Sequence, residues 1–469
     1  MILLGPAGLA TAACLAQLSI PYVIIERENC SASLWRNRAY DRLKLHLAKE
    51  FCELPYMSYP ADAPTYIPKD QFVKYLDSYI ERFDIQPKYN TAIESCTHDE
   101  GKDCWISLAC DVTASVVDRY KSKFLVVASG ENSAANIPVI PGLHDFTGEA
   151  IHSSLYKLGA AYSGKNALVV GYGNSGMEIA YDLASHGANT SIVVRSPVHV
   201  MTKEIIRLGM TLVQHTPVNI VDDLLVRMSN FVFGDLSRHG IVKPKAGPLL
   251  LKEKTGRSAV IDVGTVGLIK KGIIKVHGNI SKINGNVVEF EDKKESSFDV
   301  IVFATGYKSM ANTWLKNGES MLNNDGLPKK EFPNHWKGAN GLYCAGLARR
   351  GLPTSVQAHR DVLERRCARR HRQDRGREDV PRRRGDALLR PPRPTLTPAH
   401  EHDQGGRIDA SLSMALYVGD AVGTMAATVA SVLVFMAAFS VGFGPMAGTY
   451  NVQIMPLWVH AQGPASAWR

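Results

Sequence analysis

The sequence predicts an α/β protein made of two parallel-sheet units, each shaped to hold a dinucleotide, on three observations. The first is the stretch Leu168 to Ala180, LVVGYGNSGMEIA, where an apolar strand runs into Gly171, Gly173 and Gly176 and then into apolar residues at helical spacing. The second is a shorter copy at the start of the chain, where Ile2 to Leu4 lead into Gly5-Pro6-Ala7-Gly8 and an Ala-rich helix reaching about Leu18. The third is a further repeat, Phe124 to Gly130 (FLVVASG) and Asp299 to Gly306 (DVIVFATG). Each reads as a buried strand closing on small residues, where backbone can approach a ligand. Strand, glycine turn and helix, used twice, give two Rossmann-like domains.

In G-x-G-x-x-G the first glycine permits a tight turn, the second lets backbone approach a pyrophosphate, and the third lets helix pack on strand. The phosphates then rest on N–H groups of the helix N-terminus. Gly171, Tyr172, Gly173, Asn174, Ser175 and Gly176 are the candidate cradle. The next strand, Ser191 to Val194, ends in Arg195 and Ser196, with Arg195 nineteen residues past Gly176. A guanidinium there suits a ribose 2′-phosphate, because it offers bidentate donors and a permanent charge, and so points to NADPH rather than NADH. A solvated arginine at a strand end is the plainer alternative. In the N-terminal copy the strand Tyr22 to Ile25 ends in Glu26, eighteen residues after Gly8. At that spacing a carboxylate accepts from ribose hydroxyls and repels a 2′-phosphate. Gly5, Pro6, Ala7, Gly8 and Glu26 therefore read as a site for the ADP half of FAD. Leu3 stands where the first glycine would be and the strand lacks its beginning, so either the chain is clipped at its N-terminus or this turn is strained.

Between the two copies, Ala32 to Pro60 has no clean period. Its aromatic and basic residues suit a loop region over a planar ring, or an ordinary connection with Trp35 in the core. Asp70 to Phe83 is patterned as an amphipathic helix, and Ile93 to Leu108 and Val116 to Val127 alternate as strands. Phe146 to Tyr156, FTGEAIHSSLY, follows a Pro141-Gly142 turn, and His152 in it reads first as a hydrogen-bonded structural histidine. Met201 to Thr255 leans to helix without legible chemistry, and Gly341 to Gly346, GLYCAG, is a short strand with another glycine turn.

A chain of 469 residues has room for two or three domains with their own cores. The eight cysteines form no C-x-x-C pair and no cluster with histidine. Neither a metal site, a disulfide framework nor the redox pair of a disulfide reductase is expected, and a cytoplasmic location fits. The net charge of +9 is concentrated: fourteen arginines against eight acids lie between Pro353 and Arg407, with no aromatic residue among them. A nucleic-acid module would interleave aromatics for stacking, so no nucleic-acid partner is expected. The uncharged first 25 residues lack the basic start and cleavage site of a signal peptide.

With these units on either side, FTGEAIHSSLY resembles the class B flavin-containing monooxygenases, most of all their plant YUCCA-type branch, the indole-3-pyruvate monooxygenases. The family fingerprint F-x-G-x-x-x-H-x-x-x-Y/F is met by Phe146, Gly148, His152 and Tyr156. YDRLKLHLAKEFCELP (Tyr40 to Pro55), GYGNSGMEIA and the ATGY of Ala304 to Tyr307 match in order and spacing, from Met1 to about Leu352. The resemblance implies that NADPH reduces FAD, that O2 adds at flavin C4a as a (hydro)peroxide, and that an aromatic 2-oxo acid is oxidatively decarboxylated. The product from indole-3-pyruvate would be indole-3-acetate, the auxin. It also implies that His46 falls where relatives place a polar residue beside the flavin, and that His152 and Tyr156 shape the domain junction. The domains expected are 1–159 with 293–352 for FAD and 160–292 for NADPH. An N- or S-oxygenating member of the family, or a non-catalytic remnant, are the alternatives.

Past Leu352 the family continues with a short turn and a helix that helps close the FAD site. This chain instead turns Arg- and Pro-rich, with no lysine after Lys337, as a shifted reading frame in GC-rich coding sequence would give. Together with Leu3, this leads to the expectation of weak FAD binding. Residues 353–412 are expected as a disordered linker and 413–469 as an apolar tail. Ala421 to Pro445 is long enough to cross a bilayer, since about 20 apolar residues suffice, and membrane association is expected only through it. Gly442 to Gly463 resembles a fragment of a sugar or polyol transporter.

Overall fold

Two apolar stretches, each followed by a glycine turn, become the central strands of two parallel sheets in the computed structural model, which describes residues 2–3, 5–330 and 335–347. The first part of the chain gives β1 (Ile2–Leu3), α1 (Pro6–Gln17), β2 (Ile24–Ile25), α2 (Ser33–Asn37), α3 (Lys69–Arg82), β3 (Pro87–Lys88), β4 (Thr91–Asp99), β5 (Cys104–Asp111), β6 (Val116–Ser122) and β7 (Leu125–Val127). There follow β8 (Ala134–Ala135), β9 (Glu149–His152), β10 (Asn166–Val170), α4 (Asn174–Ser185), β11 (Asn189–Val193), β12 (Val200–Met201), α5 (Lys203–Leu212), α6 (Val218–Phe233) and α7 (Pro248–Thr255). The rest holds β13 (Val260–Ile261), α8 (Thr265–Lys270), β14 (Lys275–His277), β15 (Ile280–Asn284), β16 (Val287–Phe290), β17 (Glu295–Ser297), β18 (Val300–Phe303), β19 (Tyr307–Lys308), α9 (Ala311–Trp314) and β20 (Leu342–Cys344).

The first sheet runs β20-β7-β1-β2-β3 and the second β14-β11-β10-β18-β9, with parallel pairing throughout. In both, the strand before the glycine turn is central, with the next strand on one side. On the other side lies the strand ending in small residues, so FLVVASG and DVIVFATG hold equivalent places. Parallel strands buried on both faces must be apolar at every position, and the second sheet shows this residue by residue. Ala167, Val169, Ile192, Val300 and Val302 point to the core under α4 and α8, while Leu168, Val170, Val193, Ile301 and Phe303 point to Phe290 and Phe298 on the opposite side. In the first lobe α1 and α3 cover one face through Leu9, Ala12, Phe72 and Leu76, and Trp105, Trp314 and Leu315 cover the other.

The second sheet reaches past the 160–292 bounds drawn from sequence. It takes in β9 before them and β18 after them. The chain crosses between lobes twice, and the crossings pair with each other as β8 against β19. Ala32 to Pro60 contains little regular structure; Trp35 meets Phe72 edge-on at 4.7 Å and packs on the first core. The linker at 353–412, the apolar tail at 413–469 and the span at 421–445 lie outside the described residues. Among the described residues no helix is long and apolar enough to cross a membrane, no group of His, Cys, Asp and Glu is arranged to hold a metal, and the cysteines are free.

Candidate dinucleotide sites and the junction between them

The three glycines of the second lobe are needed for three different reasons. Gly171 has φ +116°, and a Cβ on it would sit 2.5 Å from Ala304 O. At Gly176 a Cβ would strike Gly171 O, so the helix packs directly on the turn. At Gly173, the N-cap of α4, a Cβ would meet nothing within 4 Å. The middle glycine therefore borders open space at a helix N-terminus with no side-chain cap and no acid in its first turn. Unanswered N–H groups there are a ready anion site.

The first-lobe turn has the same plan with one change. Gly5 caps α1, Pro6 occupies the first helical position, and again no side chain caps the helix. A Cβ on Gly5 would lie 3.1 Å from Ala128 O, and one on Gly346 would lie 2.7 Å from Ala7 Cβ. The strand-end turns after β7 and β20 thus crowd the start of α1 and leave backbone exposed to a ligand. Leu3, the counterpart of Gly171, remains in the strand, paired with Ile25. Its strand pairing contrasts with the positive φ of Gly171.

At the ends of the second strands stand the two charges read from the sequence. Glu26 is half-buried, and Glu28 N–H donates to its Oε1 at 2.9 Å. Burial, above all, holds its carboxyl up at about 7, with the Glu28 charge adding to the effect and the Glu28 N–H opposing it. Arg195 is exposed and makes no ion pair among the described residues; Ser196 beside it is half-buried. The sequence reading missed Arg257, whose Nη2 donates to Pro197 O at 2.9 Å and so brings a second guanidinium to the same turn.

Between the lobes lies a polar cluster. His46, in the loop after α2, approaches α4: its Nδ1 is 3.3 Å from Asn174 Nδ2 and its Nε2 is 3.4 Å from Glu178 Oε1, the latter outside hydrogen-bond alignment. The Tyr40 hydroxyl faces Ser175 and Glu178, and burial raises its pKa far above the usual range. Lys203 Nζ stands 4.8 Å over the Tyr66 ring, its pKa lowered by burial. The Tyr66, Ser129 and Tyr172 hydroxyls are buried without a partner among the described residues. An unpartnered buried polar atom costs about 1 to 3 kcal/mol, and these lie beside the two glycine turns and at the junction, where cofactors rich in polar groups would answer them. The residues present fit two dinucleotides.

Phe146, Gly148 and Tyr156 pack within the second lobe, and His152 bonds to the segment that leads out of it. Phe146 packs on the second core, and a Cβ on Gly148 would lie 2.5 Å from Asp299 O. His152 Nε2–H donates to Gly306 O at 3.0 Å while its Nδ1 accepts from Ser154 N–H at 3.2 Å, and burial lowers its pKa. Tyr156 Oη donates to Asp182 at 2.6 Å.

Residues 5–362 match the family model "Flavin-binding monooxygenase-like". The chain is 52% identical over 361 residues to the probable indole-3-pyruvate monooxygenase YUCCA10 of Arabidopsis thaliana, covering 77% of this chain and 94% of that protein. Its fold is similar to the flavin-containing monooxygenase from Stenotrophomonas maltophilia, with a TM-score of 0.58 at 17% identity over 80% of this chain and 97% of that one. It is also similar to OTEMO, solved with FAD and NADP, with a TM-score of 0.58 at 13% identity over 80% and 86% of the two chains. Two glycine turns at the heads of two parallel sheets, a clamped junction and this identity together establish that the chain belongs to the flavin-binding monooxygenase family.

Proposed function

We propose that the first lobe holds FAD on Gly5 to Gly8 and Glu26, that the second holds NADPH on Gly171 to Gly176, Arg195 and Ser196, and that the enzyme oxidatively decarboxylates indole-3-pyruvate to indole-3-acetate in auxin biosynthesis. The observation that carries this reading is the paired architecture: matching glycine turns with opposite charges at the ends of the second strands, in a chain 52% identical to a relative named for that substrate. Flavin supplies the oxygen-activating chemistry when bound, and the protein binds, orients and excludes water. Glu26 accepts from ribose hydroxyls. Arg195, with Arg257 behind it, meets the 2′-phosphate. Lys203 offers a half-buried cation at the junction for the carboxylate of the 2-oxo acid.

The test is to supply flavin-replete protein with NADPH, O2 and indole-3-pyruvate and to follow indole-3-acetate by mass spectrometry. Gly173→Leu should stop flavin reduction, because its side chain fills the open space at the head of α4. Reduction at the parent rate in that variant would remove the coenzyme assignment. Oxygenation of an amine or sulfide with no indole-3-acetate would replace the substrate assignment.

A further inference from the structure

Helix α4 carries two buried acids one turn apart, and their surroundings are opposite. Asp182, 4% exposed, accepts from Tyr156 Oη at 2.6 Å and from Gly159 N–H at 2.7 Å, with Arg42 and His186 at 3.9 and 3.5 Å. Its place in the structure is fully explained by those bonds. Glu178, 3% exposed, lies against the Tyr40 hydroxyl, and the group within ion-pair distance of it is His46 Nε2 at 3.4 Å. Burying a carboxylate is costly unless its neighbours answer it, and Glu178 is buried at the junction against groups from the first lobe, His46 and Tyr40, rather than within its own lobe as Asp182 is bonded to Tyr156 and Gly159.

The hydrogen bonds around His46 leave one choice at each step. Ile261 N–H donates to Asn174 Oδ1 at 2.9 Å, which fixes the orientation of the amide. Asn174 Nδ2 therefore turns to His46 Nδ1, 3.3 Å away, and that nitrogen must accept. The ring proton of the neutral imidazole is then on Nε2, the atom that faces Glu178. We propose that Glu178 is a positioning residue: it holds His46 in the Nε2–H form with Nδ1 toward Asn174, and so ties the His46 loop of the first lobe to the first turn of α4. Resting on the reading of Gly171 to Gly176 as the coenzyme turn, this makes the pair a fastening that keeps the flavin-side loop in register with bound NADPH. Because the carboxylate meets His46 rather than the glycine turn, its loss should slow hydride transfer more than it weakens coenzyme binding.

The experiment uses the full chain loaded with FAD and compares Glu178→Gln, Glu178→Leu, His46→Asn and the His46→Asn/Glu178→Leu double variant. Stopped-flow absorbance gives the rate of flavin reduction at saturating NADPH, and titration with NADP+ gives affinity. A small misplacement of reacting groups is worth up to about 100-fold, so Glu178→Leu should slow reduction by about tenfold or more while NADP+ affinity changes less than about threefold. Glu178→Gln should recover most of the rate, since an amide oxygen of the same reach keeps an acceptor facing Nε2–H. Asparagine at 46 can accept from Asn174 with its Oδ1 but, being shorter than histidine, places no atom at the Nε2 position that faces Glu178, so the double variant should be no slower than His46→Asn alone. Nitrogen-15 spectra of labelled histidine, with His46 assigned by its loss in His46→Asn, should show Nδ1 unprotonated in the parent and a mixture of tautomers in Glu178→Leu. Rate losses that multiply in the double variant, or a proton on Nδ1 in the parent, would overturn the proposal. If Gly173→Leu is reduced normally while the tautomer shift is seen, the coenzyme reading fails and the Glu178–His46 pairing stands.

Discussion

Arg195 stands exposed with no ion pair among the described residues, so removing its guanidinium breaks nothing inside the protein. Arg195→Ala is expected to weaken NADPH by roughly 2 to 3 kcal/mol through lost charge-assisted bonds, and to spare NADH. Steady-state kinetics with both coenzymes checks this, and equal losses would reject the 2′-phosphate role. Glu26 gives a pH effect of definite sign. Its carboxyl is held up at about 7 by burial, above its unfolded value, so it weakens the fold increasingly as pH rises from about 4.5 to 7 and by a constant amount beyond. One pKa unit is about 1.4 kcal/mol, so Glu26→Gln should stabilise the apoprotein by up to about 3 kcal/mol at pH 8 and by little at pH 5. Thermal melts at the two pH values measure it. Ribose hydroxyls favour the ionised form, so FAD affinity should fall as pH drops below about 7, the direction opposite to the stability of the apoprotein. These two charges could be read from the sequence because each lies at a fixed offset from a glycine turn. Glu178, Lys203 and Arg257 could not: Asn174 and His46 are 128 positions apart, Arg257 and Pro197 are 60, and only the folded chain brings such groups together.

The two strand–turn–helix elements differ at one point that the backbone makes visible. Gly171 leaves its strand with φ +116°, whereas Leu3 stays in register with Ile25. A residue that cannot turn early delivers the helix N-terminus to the phosphate differently, and a forced turn costs a non-glycine residue about 1 to 3 kcal/mol. Leu3→Gly is therefore expected to raise flavin occupancy, read as a higher A450 to A280 ratio in the purified protein. An unchanged ratio would show that the path taken by β1 serves as well. Helices with a clear apolar stripe were legible almost to the residue: Asp70 to Phe83 from pattern became Lys69 to Arg82. The membership of β9 and β18 in the second sheet was not legible, since parallel partners lie far apart in the chain and their apolar runs name no partner.

The two lobes meet through polar contacts such as His46 with Asn174, Arg42 with Asp182 and Arg207 with Glu50, and through Tyr40, which packs in the second core. The path of the chain between them is also held closed. Asn136 N–H donates to Gly306 O at 3.0 Å, Thr305 Oγ1 donates to Asn136 O at 2.5 Å, and His152 grips the same Gly306 carbonyl. His152 belongs to the fingerprint and Thr305 and Gly306 to the ATGY run, so both motifs serve the place where the chain passes between the lobes. Entry and exit of the second lobe therefore coincide in space. A segment whose two ends already touch can be lifted out and the chain rejoined behind it, and most of its core, including Val169, Ile192, Met177 and Val302, goes with it, with Tyr40 the buried side chain left behind. Residues 136–306, produced as an independent fragment, are expected to melt cooperatively and to bind NADP+ without flavin, with calorimetry as the measure. The second lobe is thus a cartridge, and exchanging it between relatives should transfer coenzyme preference while leaving the flavin-side chemistry in place.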